Sequence, residues 1–346
     1  MQAEKGGTML ILILSILLNL NPLCDINRQY EPSPKLRIGF YNLENLFDYF
    51  DDSLKKDDDF TPLGIKAWGK KKYENKCVQL FKVIAALGAE VPLTLLGVCE
   101  VENAKVLRDL CFGTPLRQNH FNFIHYESQD ARGIDVALLY RSDYFSPSLS
   151  YPIPIIYPSD TVSFTRDILY VKGYVFQKDS LHIFVNHFPS KYGGATATIG
   201  KRAFVAKVLK NAILKIYAQN PKANILVMGD FNDEPSDPSI TQVLGASCQS
   251  VDTQTFLFNL MCPFQGKEGS NKFRQEWSII DQIMLSPNLY FNSNKEETHI
   301  QQAHIFAPSF MLMKDEIYMG IKLFRTYNGM KYLGGFSDHL PVYWDW

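Results

Sequence analysis

The chain has 346 residues, of which 46% are hydrophobic and 21% charged, with 35 basic side chains against 36 acidic ones. Such a composition excludes intrinsic disorder as the main state and suffices for one large or two small domains. The formal charge of −1 excludes a polybasic protein that grips nucleic acid by bulk charge, so a phosphate partner must be held locally.

The first predicted element is an apolar run at residues 9–20 (MLILILSILLNL), preceded by Lys5. It is too short to cross a hydrocarbon layer of about 30 Å and has the length of a signal-peptide core. Residues 1–24 therefore read as an export signal, and residues 25–35 as a short linker. No transmembrane helix is expected once the signal is removed. Asn21-Pro22-Leu23 lacks the small residues that usually mark cleavage, and Cys24 offers a lipoprotein anchor as the other reading, although Leu23 is bulky for that processing.

No repeat, low-complexity block or Ser/Gly/Pro-rich linker divides the rest, so residues 36–346 read as a single domain. Short apolar runs recur along it, each next to a polar residue. They are 36–41 before Asn42, 94–99 before Glu100, 136–140 after Asp135, 181–185 before Asn186, 225–228 before Gly229-Asp230, and 279–280 before Asp281. Runs this short and apolar predict strands buried on both faces, with polar groups delivered at their ends. Helical spacing of Cys77, Leu80, Phe81, Ile84 and Leu87 predicts a helix over 73–87 that Gly88 stops. Val205, Val208, Leu209, Ala212, Ile213 and Ile216 predict a second over 201–218. Many short strands with few helices imply two packed sheets with helices outside.

The six cysteines, Cys24, Cys77, Cys99, Cys111, Cys248 and Cys262, lack zinc-site spacing and are too sparse for a disulfide framework. Cys77 and Cys99 lie in apolar contexts and read as core residues. One disulfide, with Cys248 and Cys262 as the candidate pair, is compatible with export.

Two segments carry chemistry. In Val227-Met228-Gly229-Asp230-Phe231-Asn232, a strand ends on a carboxylate and a carboxamide two residues apart, which point the same way in extended chain and can orient a water or a phosphate oxygen. Ser337-Asp338-His339-Leu340-Pro341 sets a carboxylate beside an imidazole that can titrate near neutrality. Either alone is also ordinary turn chemistry.

Taken in order, the motifs resemble the endonuclease/exonuclease/phosphatase superfamily, in its deoxyribonuclease I-like form and its exported bacterial branch. Phe40-Tyr41-Asn42-Leu43-Glu44 resembles the opening strand with its metal-site Asn, Leu96-Gly97-Val98-Cys99-Glu100 the strand ending in the metal-binding glutamate, and Val185-Asn186-His187-Phe188 the strand of the active-site histidine. Gly229-Asp230-Phe231-Asn232 is similar to the central motif. Ile280-Asp281-Gln282-Ile283 resembles the strand whose aspartate orients the last histidine, and Ser337-Asp338-His339 the closing motif.

The resemblance implies a four-layer α/β (α+β) sandwich, two mixed β-sheets face to face with helices on the outer faces and the site at one rim. It implies an exported Mg2+-dependent phosphoesterase, with Mn2+ as a substitute metal, acting on a phosphodiester (nucleic acid, phospholipid or small phosphoester) with activated water. Asn42, Glu44, Glu100 and Asp338 would form the metal site, and His187, Asp230, Asn232, Asp281 and His339 the catalytic set. Whether His339 or Asp230 is the base stays open. A carboxylate-bound divalent cation neutralises phosphoryl oxygens, which is the main requirement of ester cleavage.

Arg132 has the fork geometry that suits phosphate, with a salt bridge to Asp135 as the other reading, and Arg202 is a second candidate contact. Asp57-Asp58-Asp59-Phe60-Thr61-Pro62 with Trp68 and the lysines after it reads as a solvated loop, or as a lid. A sphingomyelinase or phospholipase C-like activity would use an exposed apolar hairpin, for which residues 151–157 (YPIPIIY) are the candidate. An inositol-phosphate phosphatase would require more cations than the motifs place. A non-catalytic phosphate-ligand binding or surface interaction protein is the alternative of another class, and no protein partner is inferred.

Overall fold

The computed structural model describes residues 35–158, 164–176, 179–191, 194–249, 256–292 and 303–346. Residues 1–35 and 36–346 are separate units. The signal and Cys24 readings fall outside the described residues, and the folded unit is residues 36–346.

In chain order the unit begins with β1 (Arg37–Leu46), α1 (Lys70–Leu87), β2 (Leu93–Val101), α2 (Ala104–Gly113), β3 (Phe121–His125), β4 (Asp135–Arg141), β5 (Phe145–Ile153), β6 (Ile168–Val175) and β7 (Asp179–His187). It continues through α3 (Ala195–Gln219), β8 (Asn224–Asp230), β9 (Ala246–Ser247), β10 (Leu257–Asn259), β11 (Asn271–Phe273), β12 (Glu276–Ser278), β13 (Asp281–Leu285) and α4 (Pro287–Asn292). It closes with β14 (Ala303–Ile305), β15 (Leu312–Lys314), β16 (Ile321–Leu323), β17 (Tyr327–Asn328), β18 (Lys331–Tyr332) and β19 (Val342–Asp345).

Among the described residues one sheet has the order β14-β19-β1-β2-β4-β3 and the other β5-β6-β7-β8-β13-β10-β9. Both are mixed. β1 runs parallel to β2 and antiparallel to β19, and β7 runs parallel to β8, which is antiparallel to β13.

Strict alternation along the strands builds the layers. Ile38, Phe40, Leu138, Ile183, Val185, Leu226, Met228 and Ile283 share the core between the sheets. The intervening Tyr41, Ala137 and Leu139 face a cluster that includes Leu80, Val83 and Ile84 of α1 and Leu107 of α2. Phe184, Ile225 and Val227 face Val205, Leu209 and Ile213 of α3. Strands β1, β4, β7 and β8 are thus apolar on both faces, and the helix/sheet/sheet/helix order is the four-layer sandwich that the motifs imply.

The predicted helices are present with longer starts. α1 begins at Lys70 and ends at Gly88, whose N–H reaches the carbonyl of Ile84, while α3 begins at Ala195. α2 has no counterpart among the predicted elements. Asn103 caps it, its side-chain oxygen accepting the N–H groups of Lys105 and Val106. The strand predicted before Asp281 instead starts on Asp281. Trp68 is fully buried, its indole N–H donating to the carbonyl of Phe47, so the segment before α1 is anchored to the domain rather than loose in solvent. Cys77, Cys99 and Cys111 are buried thiols, and Cys248 is bonded to Cys262.

Candidate active site

The alternation that fills the inner core also aims the site. Asn42 follows Phe40 by two, His187 follows Val185, Asp230 follows Met228, and Asp281 precedes Ile283, so all four continue the inner faces of their strands to one rim. In the second sheet His187 pairs with Asp230 across β7/β8, and Asp281 pairs with Asp230 across β8/β13. The three side chains form one transverse row. Gly229 lets β8 lie close to β7, because a Cβ there would sit 2.4 Å from the carbonyl oxygen of Asn186.

The first sheet contributes through irregularity. The β1/β2 register shifts between Asn42 and Leu46, and β2 shifts against β4 between Cys99 and Val101. Glu44, Asn45 and Glu100 adopt left-handed φ values of 50°, 52° and 60° at these bulges. Such strain in non-glycine residues clusters at functional sites, and here it turns Glu100 out of the pleat towards the second sheet.

The groups then meet. The Asn42 amide donates to Asp230 Oδ2 at 3.1 Å and to Glu100 Oε1 at 3.4 Å, and lies 3.5 Å from His339 Nε2. His187 Nε2 is 3.8 Å from Asp230 Oδ2 and 4.0 Å from Glu100 Oε1. His339 Nε2 is 3.8 Å from the same Asp230 oxygen, and its Nδ1 is 2.7 Å from Asp281 Oδ2. Asn232 donates its backbone N–H to Asp230 Oδ1 and its side-chain N–H to the carbonyl of Phe188. It shapes the turn and fixes Asp230.

Burial and charge divide the roles of these groups. Burial raises the Asp230 carboxyl to about 7, with His339 opposing and Asp281 adding to the rise. Burial disfavours a charge on His339, but Asp281, Asp230 and Asp338 outweigh it and hold the imidazole well above its usual range. His187 is pushed well below by burial, then by Arg166, Arg132 and His339. At neutral pH the site therefore holds a neutral His187, a cationic His339 and an Asp230 poised to exchange a proton.

The donor set fits a divalent cation. Asp230 with Cys99 and His187, and Asp230 with Asp281 and His339, each bring donor atoms within 4.8 Å of one another. The Asp281 Oδ1 and His187 Nδ1 atoms are buried and take no hydrogen bond from the described residues. Glu100 and Asp338 keep 16% and 24% of their side chains exposed, which leaves carboxylate oxygen accessible at the mouth. Hard oxygen donors of this kind suit a partly hydrated cation.

Two expected contacts are corrected, those of Glu44 and Arg202. Asn42 lies in the site, where its Oδ1 accepts the N–H of Glu44 and its NH2 holds the Asp230 and Glu100 carboxylates. Glu44 faces away into a buried cage. Its oxygens take Arg325 Nε at 3.1 Å and the Thr326 N–H at 2.7 Å, with Lys76 Nζ at 3.8 Å. Arg202 is 1% exposed and pairs with Asp233 at 2.7 Å, so it braces the β8 turn instead of meeting substrate.

Arg132 is half exposed and pairs with Asp130 at 3.6 Å, whereas Asp135 pairs with His125. Sequence reasoning missed Arg166, Arg325 and Lys76. Arg166 donates to the Phe188 carbonyl at 2.8 Å and lies 3.4 Å from Asp130. Arg325 bridges Glu44 and Asp338. No local motif flags these residues, although Arg166 stands two residues before Ile168, where the apolar run of β6 begins.

A family model described as "Endonuclease/Exonuclease/phosphatase family" matches residues 37–345. No curated protein matches the chain. Among solved structures, an endonuclease/exonuclease/phosphatase family protein from Bacteroides thetaiotaomicron is 14% identical with a TM-score of 0.54, over 90% of this chain and 97% of that one. A mannosyl-6-phosphatase from the same species is 14% identical with a TM-score of 0.54, over 89% and 98%. A humanized D. rerio TDP2 is 16% identical with a TM-score of 0.52, over 90% and 98%. At these identities the likeness is one of fold.

Proposed function

The chain belongs to the endonuclease/exonuclease/phosphatase family of metal-dependent phosphoester hydrolases, and on that premise we propose that it is an exported, magnesium-dependent phosphodiesterase of nuclease-like type. The observation that carries this reading is the row of His187, Asp230 and Asp281 on one sheet, met by Asn42 and Glu100 from the other and by His339.

Glu100 and Asp338 would hold the magnesium ion, which when bound withdraws charge from the phosphoryl oxygens; manganese has the same donor preference. Asp230, with its carboxyl near neutrality, accepts the proton of the attacking water. Cationic His339, locked by Asp281, donates Nε2–H to a phosphoryl oxygen as charge develops there. Neutral His187 binds the phosphate as a hydrogen-bond donor, and Asn232 keeps Asp230 aimed; as the water's oxygen bonds to phosphorus the bond to the leaving oxygen breaks, that oxygen takes a proton from solvent, and Asp230 then returns its own proton to solvent.

A diester is favoured over a simple monoester by the cleft next to His187. It is about 250 Å3, and its lining sets Arg132, Arg166 and Lys201 against the single carboxylate of Asp130, with Ser190 and Thr165 beside them. Arg166 Nε and Thr165 Oγ1 are buried there without a hydrogen-bond partner among the described residues. A second anionic group on the substrate, such as a neighbouring phosphate, fits this lining. Export is supported by the apolar run at residues 9–20 and by the Cys248–Cys262 bond, which suits an oxidising compartment.

A lipid phosphodiester is the second reading. It is favoured by Phe273, Ile317 and Met319, which are 70%, 71% and 80% exposed on or near the β11/β12 and β15/β16 hairpins. The earlier candidate, residues 151–157, is divided, with Tyr151 and Ile156 exposed and Ile155 and Tyr157 buried.

The test is hydrolysis of bis(p-nitrophenyl) phosphate beside p-nitrophenyl phosphate, with Mg2+ or with EDTA. Diester cleavage lost in EDTA is the expected result. Cleavage of the monoester alone would replace the reading with a phosphatase, and metal-independent cleavage would contradict the proposed mechanism.

A further inference from the structure

A second group of metal-ligating side chains lies outside the catalytic row. His125 ends β3, Asp135 opens the adjacent antiparallel β4, and Glu127 stands two residues beyond His125. His125 Nε2 is 3.2 Å from Asp135 Oδ2, and one donor atom from each of the three residues lies within 4.8 Å of the other two. We propose that His125, Glu127 and Asp135 bind a divalent transition-metal ion of the zinc type, at a site separate from the Asp230 centre.

Five observations support the assignment. The donors are one imidazole and two carboxylates, a mixed set that suits zinc better than magnesium or calcium. His125 Nε2 and Asp135 Oδ2 are hydrogen-bonded at 3.2 Å and Asp135 Oδ1 accepts the Ser128 N–H; donors about 2.0–2.1 Å from a tetrahedral zinc stand about 3.3 Å apart, so an ion would replace that hydrogen bond with little movement of either side chain. The surroundings are anionic, since Asp167 lines the recess that Asp135 occupies, beside Tyr126 and Ser128. The nearby cation, Lys55, has its Nζ on the carbonyls of Ser128 and Asp130 at 2.9 and 3.2 Å. Glu127 also lines an open cleft of about 180 Å3 with Asp48, Asp51, Asp52 and Glu102 against the single cation Lys55, a net acidic entry path with room for water.

The site has a structural consequence. Its ligands sit at both ends of residues 126–134, and that segment carries Asp130, the partner of Arg132 and Arg166. A bound ion would tie the segment down and so steady the arginine cleft without touching substrate.

The experiment is calorimetric titration of Zn2+ into the full chain carrying Asp230→Asn and Glu100→Gln, which disables both donor groups of the catalytic centre. One equivalent is expected to bind, and adding Glu127→Ala is expected to weaken it at least about 10-fold, because loss of a direct ligand costs no less than loss of a supporting one. Glu127 is exposed, so its replacement leaves the fold intact, and circular dichroism checks this. His125→Ala should also abolish the absorption bands of bound Co2+. Absence of binding in the Asp230→Asn, Glu100→Gln chain, or binding that Glu127→Ala leaves unchanged, overturns the proposal.

Discussion

Asp230 and His339 share an oxygen-to-nitrogen separation of 3.8 Å, yet their surroundings push them in opposite senses. Burial lifts the carboxyl from an ordinary 3.8 to about 7, while Asp281 and its neighbours keep the imidazole charged against burial. The base form of Asp230 exists above its pKa, so turnover should fall as pH drops through an ionisation at or below about 7, since a bound cation lowers it. A pH–rate profile measured at saturating Mg2+ checks this; a limb that persists in the residual activity of Asp230→Asn would assign it to another group. The stability sign runs the other way. A carboxyl raised in the folded state costs stability as pH climbs from 3.8 through about 7, so Asp230→Asn should not unfold the protein at neutral pH. Asp230, Asp281, His187 and His339 were legible in the sequence because each lies beside an apolar strand run whose parity is fixed. The direction of Glu44 was not legible. Its partners Lys76, Arg325 and Thr326 come from distant segments, and a left-handed residue at a bulge breaks the alternation on which the expectation rested.

At the scale of elements, the β1 bulge is braced by that cage. Lys76 of α1 is 1% exposed and donates to Thr326 Oγ1 at 2.7 Å and to the Phe336 carbonyl at 2.6 Å while facing Glu44. Glu44 keeps Arg325 and the Thr326 N–H when Lys76 is removed, but Thr326 Oγ1 and the Phe336 carbonyl lose their buried donor, so Lys76→Met should lower unfolding free energy by about 2 kcal/mol. Urea denaturation measures it, and a change within error would show the cage to be dispensable. Strands were legible wherever both faces are apolar, because burial on two sides leaves a plain signal. α2 was missed although its apolar residues Val106, Leu107, Leu110 and Cys111 follow helical spacing, because it is short and sits between β2 and a 3-10 turn. The basic residue at 202 read as a phosphate contact because a cation at a helix opening looks solvated in sequence; the structure buries it against Asp233, 31 positions away along the chain.

For the whole molecule, two sheets with opposite irregularities make one rim: the second supplies a regular row of side chains, and the first supplies bulged ones. The Cys248–Cys262 bond lies in the segment joining β9 to β13 and closes a short loop with a sequence separation of 14. A loop of that length predicts a loss of about 3 kcal/mol when both cysteines become serine, read by urea unfolding, while reductant should leave the double variant unaffected. The layered fold was legible from the count and length of apolar runs, whereas the cationic cleft was not, because Arg132, Arg166 and Lys201 come from three separate segments. The account rests most heavily on Asp230, where the two sheets' contributions meet. Its most direct test compares Mg2+-dependent bis(p-nitrophenyl) phosphate turnover by the unmodified chain and by Asp230→Asn at neutral pH, with thermal unfolding recorded for both. The account predicts a loss of about a thousandfold in kcat with an unchanged or raised Tm; near-normal turnover in a folded Asp230→Asn protein would contradict it.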